Sequence, residues 1–505
     1  MLRAREGPMR YTFAFWLLSL AVVGCGPSDR DDACHGADCD SGPCRQGTTR
    51  ECYTGKDETI GVGPCVVGEQ KCTPAGVWGN CIGEVTPEPE YCGDNLDNNC
   101  NGATDEIEDR DNDGFTTCAG PGGGDCCDST ECSDPQWVNP SAFDSPGNNV
   151  DDDCNGAIDD SVALCDQALM SSSSVGLDYA RAMDICQDAT PNDKKWGVVS
   201  AALTFPDGTG VPDPNSHSIR HHFGTMTMPR GGVSMALFSS GVAAGKGDMN
   251  PNYTPFDSYI GSAESGFPTD FLAANNGSLP NAPGCPDPVL TTANDPVMLT
   301  LEIRVPSNAH SFSLKTNFYS AEFPEWTCSE YNDFFVILLD SMYTGNPANP
   351  MDKNLAFYTQ PGTTNNYPVG VNLAFGNTGL FTQCVNGTTG CSSFGGMQGT
   401  INTCSGTTDL TGTGFDEPDG GSCDANSLSG GATGWLTTSG NVVPGETIKL
   451  RIAIWDTSDH ALDSLSIVDG FQWSVDSTQP GTVILKEDQP WNPKAVASTK
   501  ALTQP

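Results

Sequence analysis

Positive charge is what this sequence has least of. Its 23 Lys and Arg stand against 64 Asp and Glu, a formal charge of −41. Nucleic acid and anionic headgroups are recognised through clustered Lys and Arg, so neither is expected as a charge-selected partner, and cations are favoured. Long apolar runs are also missing. Outside residues 11–23 no stretch approaches the roughly 18–20 residues that cross a bilayer as a helix. Only six histidines occur, none of them between Cys39 and Cys186, and there is no CxxC pair. The usual zinc spacings are therefore absent. No G-x-S-x-G elbow and no H-E-x-x-H motif appears, which removes support for two common hydrolase chemistries.

What is abundant points to β structure in an oxidising compartment. With 58 Gly and 36 Pro, the chain suits many turns and short strands. A hydrophobic content of 37% is too high for a disordered chain. At about 100–200 residues per domain, two to four units are expected. There are 23 cysteines; with Cys25 set aside, sixteen lie between 34 and 186 and six between 285 and 423. Both counts are even, as disulfides closing within each half require, although spacing alone leaves their connectivity open.

Arg3, Arg5 and Arg10 precede an apolar run at 11–23 that ends in Val22-Val23-Gly24-Cys25. This end resembles a bacterial lipobox. The resemblance implies cleavage before Cys25, acylation of Cys25 and anchoring to the lipid bilayer of the cell envelope, at the outer membrane or cell surface. An ordinary secretory signal is the alternative. Beyond this signal at 1–25 the chain divides into a tether at 26–45 and a Cys-rich module at 46–91. The module has too few large aliphatics to order itself without bridges, and Trp78 reads as a packed staple beside Cys81. An acidic repeat module follows at 92–165, then a connector with a short helix at 166–195. From 196 to 476 the period is two: Leu299, Leu301, Ile303 and Val305 alternate with polar residues, as do Phe312, Leu314 and Phe318, and Ile448, Leu450, Ile452 and Ile454. One apolar and one polar face per strand predicts two antiparallel sheets packed face to face, with 240–297 and 377–437 as long loop insertions. Residues 477–505 read as a disordered tail. The expected fold is mainly β: a large antiparallel, jelly-roll-like β-sandwich preceded by a disulfide-rich, loop-built calcium-binding module.

The acidic module repeats itself. NLDNNCNGATDE at 95–106 returns as NVDDDCNGAIDD at 149–160, and 92–165 carries 18 acidic residues and one Arg. Three segments fit D-x-[DN]-x-[DN]-G, in which alternate oxygen ligands converge as the chain curls round an ion. The first has Asp97, Asn99 and Asn101, continuing to Asp105 and Glu108. The second has Asp109, Asp111 and Asp113 and needs Asp125 or Asp128 from downstream. The third has Asp151, Asp153 and Asn155, continuing to Asp159. Hard oxygen ligands favour Ca²⁺, and prolines and cysteines beside the loops exclude flanking EF-hand helices. A solvated acidic segment without a site is the alternative. The pattern CGDNLDNNCNGATDE–DRDNDGF…DCCDS…NNVDDDCNGAIDD resembles the MopE-type metal-binding repeat. That family's name is tied to copper, but 50–165 contains neither His nor Met.

FYSAEFPEWTCSEYNDFFVILLD (318–340) and LRIAIWDTSDHALDSLSIVDGFQW (450–473) resemble the hallmarks of the choice-of-anchor L family, extracellular β-domains joined to varied surface anchors. The resemblance implies a surface or adhesion-like role without catalytic residues. Within these motifs Glu322, Asp333, Asp456 and Asp463 can share a cation if the two strands are neighbours; loop-capping carboxylates are the alternative. His217, His221 and His222 read as a surface cluster on a loop. Trp326, Trp435 and Trp455 read as packed or rim aromatics that can stack on sugars. The expected protein is thus a non-enzymatic, lipid-anchored surface protein whose calcium-stabilised stalk presents a binding head to an extracellular glycan or protein. The rivals are a metal-sequestering envelope protein and a carbohydrate-active enzyme using paired carboxylates.

Overall fold

The computed structural model describes residues 34–35, 43–88, 93–105, 109–116, 124–128, 132, 134–160, 164–257, 261, 263–390, 401–418 and 428–484. The expected signal, Cys25 and Glu108 lie outside the described residues. The chain forms two compact units, residues 1–105 and 106–505.

The first unit is held mainly by covalent bonds. Strands Cys34–His35, Thr49–Tyr53 and Gly68–Lys71 make a three-stranded sheet. Disulfides Cys44–Cys72, Cys52–Cys81 and Cys65–Cys100 cross it, around a core of little more than Tyr53, Cys65 and Cys100. So small an apolar cluster needs such bridges. The Arg50 guanidinium lies 4.3 Å from the Trp78 ring centroid, so Trp78 is a packed cation–π partner.

The second unit contains two antiparallel sheets. One runs in the order Phe334–Asp340, Thr447–Thr457, Ala293–Arg304, Gly197–Thr204, with Glu264–Ser265 paired to Ala293–Arg304. The other runs Gly481–Ile484, Leu436–Asn441, Ser311–Ser320, Ser464–Ser474, Met235–Ser239, His217–Arg220. The alternating residues drive their packing. Leu299, Leu301, Ile303, Ile448, Leu450 and Ile452 from the first sheet share one core with Phe312, Leu314 and Phe318 from the second. Helix Gly176–Ala182 adds Tyr179 and Ala180 to that core.

The outer faces depart from the sequence expectation. They are covered as well. Phe267, Phe271 and Leu279, from the insertion after residue 240, pack over Phe334, Val336, Leu338, Ala453 and Trp455. Phe256, Leu410 and Phe415 pack over Tyr319, Leu465 and Ile467 of the other sheet. The run Phe334–Leu339 is accordingly buried on both sides, as an unbroken apolar strand should be. Burial reaches polar positions too: Lys315 is enclosed, donates to Thr437 Oγ1 at 2.9 Å and is pushed down to about 8 by desolvation. Arg451 and Lys353 fasten helix Thr269–Ala274 to the first sheet through Asp270, with Arg451 Nη1 and Nη2 at 2.9 and 2.6 Å from its carboxylate.

Two boundaries also differ. Residues 481–484, placed in the tail by the sequence, form an edge strand paired to Leu436–Ser439. The acidic repeat is divided between the units, because the first copy's Cys100 bonds back to Cys65 while the second copy's Cys154 bonds to Cys126. The second copy is part of the sandwich unit: Phe143 N–H donates to Asn308 Oδ1 at 3.0 Å, and Trp137 packs edge-on against His310. The remaining disulfides are Cys127–Cys132, Cys165–Cys186, Cys285–Cys328 and Cys384–Cys404. None of those described joins the two cysteine groups.

Phe256 stacks on Phe415 with ring centroids 4.0 Å apart. Phe256→Ala should therefore cost about 3–5 kcal/mol in urea unfolding, a core-sized loss for an insertion residue. A cost near that of an exposed loop position would show that the insertions are not structural covers.

Candidate functional site

The two repeat copies fold alike in detail. Asn95, Cys100 and Asp105 have φ of 61°, 56° and 52°, and Asn149, Cys154 and Asp159 have 62°, 57° and 53°. Asp97 accepts the N–H groups of Asn101 at 3.1 Å and Gly102 at 2.9 Å. Asp151 accepts those of Asn155 at 3.1 Å and Gly156 at 2.9 Å. In each case the two oxygens of one carboxylate are both engaged. Asp105 accepts from Gly93 N–H and Asp159 from Gly147 N–H, at 2.8 and 2.7 Å. Asn99 and Asp153 accept from the following Asn101 and Asn155 N–H groups. Asn101 and Asn155 in turn accept from Ala103 and Ala157 N–H, both at 2.8 Å. These side chains cap their own turns.

The segment between the copies behaves differently. Asp109 accepts Gly114 N–H at 3.1 Å, Asp111 accepts Asp113 N–H at 3.1 Å, and Asp113 accepts Phe115 N–H at 2.7 Å. Asp125 accepts Cys127 N–H at 2.9 Å and Asp128 accepts Arg110 N–H at 2.5 Å. Each therefore has one oxygen satisfied by backbone. The other oxygen (Asp109 Oδ1 and the Oδ2 of Asp111, Asp113, Asp125 and Asp128) is buried without a hydrogen-bond partner. Asp109, Asp111 and Asp128 each bring an oxygen within 4.8 Å of the others, and so do Asp111, Asp113 and Asp125. Asp111 belongs to both groups. Burial, reinforced by neighbouring carboxylates, pushes Asp125 up to about 7 and Asp113 up to about 6. The adjacent Cys126 and Cys127 place Asp125 and Asp128 here, one bonded to Cys154 and the other to Cys132.

The sandwich motifs supply a second cluster. Glu322, Asp333, Asp456 and Asp463 are 3%, 1%, 2% and 1% exposed. Strand pairing gathers them at one end of the unit. Asp333 and Asp456 adjoin the register pair Phe334–Trp455 of the first sheet, while Glu322 and Asp463 flank the pair Ser320–Ser464 of the second. Burial and mutual repulsion hold Glu322, Asp456 and Asp463 well above the usual carboxylate range and put Asp333 at about 7. Glu325 is buried as well, and Asp459 is exposed. This cluster is looser than the acidic segment: among the described residues, no three of its acids bring oxygens within 4.8 Å. Sequence reasoning missed Ser240, whose hydroxyl donates to Asp333 Oδ2 at 3.2 Å, and Asp295, which contacts His460 Nδ1 at 2.5 Å. Ser240 comes from the insertion that begins after Met235–Ser239, and Asp295 from the start of strand Ala293–Arg304, which the sequence pattern assigns to that insertion.

Other candidates are structural. His217 lies on a strand, not a loop, and is buried at 2.6 Å from the Tyr179 hydroxyl, with its pKa lowered to about 4 by desolvation. His221 and His222 remain exposed and contact backbone carbonyls. Trp455 is fully buried and stacks on Phe334.

Residues 285–469 match the family profile of the Choice-of-anchor L domain. The match encloses the first sandwich motif, the second as far as Asp469, and all four of their acids. That domain points to a cell-surface protein, and its family is not a family of enzymes. No curated protein and no solved structure matches the chain. Among the described residues no helix is long and apolar enough to cross a membrane.

The raised carboxyl pKa values set a sign for the pH response. A carboxyl whose folded pKa is raised binds its proton more tightly folded than unfolded. Its stabilisation is full below the ordinary carboxylate range and is lost as pH rises through the folded value. In EDTA, Tm should therefore climb as pH falls from about 8 to about 5, through the window set by Asp113, Asp125 and Asp333. Melts that are flat or inverted over that range would contradict the buried-acid assignment.

Proposed function

We propose that this chain is a non-enzymatic, lipid-anchored surface protein in which bound calcium orders the acidic segment and the sandwich serves as a binding head. The observation that carries the calcium reading is the inward oxygen of five neighbouring aspartates, Asp109, Asp111, Asp113, Asp125 and Asp128. Oxygen-only donors on a curled, glycine-containing loop suit a hard cation of calcium size. The residues fit that ion. With it bound, the five carboxylates neutralise one another's repulsion through the metal instead of through protons.

The expected stalk takes the form of a collar in its second half, since residues 134–160 pack on the sandwich unit. Where the collar meets the sandwich, a cavity of about 720 Å³ is lined by Trp196, Phe471 and Trp473 and bordered by Asp144, Asp153 and Asp160. Aromatic walls with carboxylates at the rim suit a glycan or a cationic protein segment, and support a binding role for the head. The lipid anchor rests on the residues before and at Cys25, and the outer membrane or cell surface is the proposed site of display.

Calorimetric calcium titration of the oxidised protein tests this reading. Asp111→Asn should weaken calcium binding by about tenfold or more, because Asp111 serves both groups of acids. Asp97→Asn and Asp151→Asn, whose carboxylates cap turns, should leave the stoichiometry unchanged. No calcium heat and no fall in Tm on adding EDTA would withdraw the calcium reading.

A further inference from the structure

The four buried acids of the sandwich need a counter-charge, and the strongest charges acting on them among the described residues do not supply one. The charges acting most strongly on Glu322, Asp333, Asp456 and Asp463 are those of one another and of Asp459, Asp295 and Asp257, all negative. Asp333 Oδ1, Asp456 Oδ2 and Asp463 Oδ2 are buried and receive no hydrogen bond. Further oxygens without partners stand beside them in the chain, namely Asn332 Oδ1 and Thr457 Oγ1. Burying unpaired carboxylates costs several kcal/mol each unless a cation or a proton compensates.

The backbone is shaped around these groups. Asp333 N–H donates to Glu322 Oε2 at 3.2 Å, which orients that carboxylate toward the first sheet. Ala321 N–H donates to the Asp463 carbonyl at 3.1 Å, which ties the backbone next to Glu322 to that of Asp463. A Cβ on Gly241 would stand 1.9 Å from Asp463 Oδ2, so the loop after Met235–Ser239 passes the carboxylate where only glycine fits. A bulge between Ile454 and Asp456 re-aims Asp456 at the strand end, opposite Asn294.

We propose that Glu322, Asp333, Asp456 and Asp463 form a second site for a hard divalent cation, which clamps the two sheets together at one end of the sandwich. The donors are all oxygens, two carboxylates come from each sheet, and amide, hydroxyl and water oxygens complete the shell. Calcium is the fitting probe, since it accepts six to eight oxygens in irregular geometry. The clamp is separate from the acidic segment. It makes the head itself, and not only its collar, dependent on the ion.

The test counts calcium by equilibrium dialysis in the full oxidised chain, with Tm measured in calcium and in EDTA. Asp456→Asn should bind one ion fewer than the unmodified protein and lose part of the calcium-dependent rise in Tm. Asp125→Asn combined with Asp128→Asn should keep a calcium-dependent rise, because it leaves the clamp intact. Glu322→Gln is read in the same way as Asp456→Asn, should the latter not fold. The proposal is overturned if Asp456→Asn or Glu322→Gln keeps every ion and only gains stability in EDTA, the behaviour of a cluster neutralised by protons. It is equally overturned if the Asp125→Asn/Asp128→Asn protein binds no calcium at all. Failure of the acidic-segment site alone shows as unchanged stoichiometry in that double variant and leaves the clamp standing.

Discussion

The antiparallel pairing of Phe334–Asp340 with Thr447–Thr457, and of Ser311–Ser320 with Ser464–Ser474, is the constraint from which the larger unit follows. Both pairings are set by side chains that interdigitate between the sheets, and a slip of one residue would exchange them with the side chains packed under the outer covers. Once the register holds, the residues just beyond the strand ends have no freedom of placement. Asp333 and Asp456 arrive together at one end of the first sheet, and Glu322 and Asp463 at the same end of the second. The polar cluster is a by-product of apolar packing in its position, though not in its chemistry.

A chain with 64 acidic side chains must dispose of negative charge, and two solutions are visible. In both repeat copies the carboxylates accept backbone N–H groups, which delocalises their charge over turn dipoles and fixes left-handed residues such as Asn95 and Asn149. In the 109–128 segment and at the sandwich end, one oxygen of several acids is left inside without a donor. The first solution builds conformation. The second leaves buried negative charge that a cation or a proton must compensate.

The covered outer faces explain why the head tolerates such large insertions. Helix Thr269–Ala274 and the Phe256–Phe415 stack replace solvent over both sheets, so the sandwich is buried on both sides of its central strands. The insertion after Met235–Ser239 also delivers Ser240 and Gly241 to the acid cluster. Cover and site are therefore made by the same segments. Altering one is expected to disturb the other.

Much of this was legible along the chain. Period-two alternation at 299–305, 312–318 and 448–454 is a local property, and it specified strands and an inward face. The repeat at 95–106 and 149–160 is likewise local, and its paired left-handed positions follow from nearly identical residues. The unbroken apolar run Phe334–Leu339, buried on both faces, departs from the alternation that predicted solvent on one side of each strand. What the chain could not reveal was set by contacts distant in sequence. Cysteine spacing does not say that Cys100 closes on Cys65 and Cys154 on Cys126, because pairing depends on which backbones meet in space. Loop spacing made the first and third calcium motifs look the more complete. Among the described residues, though, it is the middle one whose carboxylates gather, joined by both Asp125 and Asp128 where the sequence asked for either. Residue type and period thus determined strands, turns and the excess of carboxylates; the tertiary structure alone decided which carboxylates lose water together, because desolvation depends on everything packed around a group and not on its neighbours in sequence.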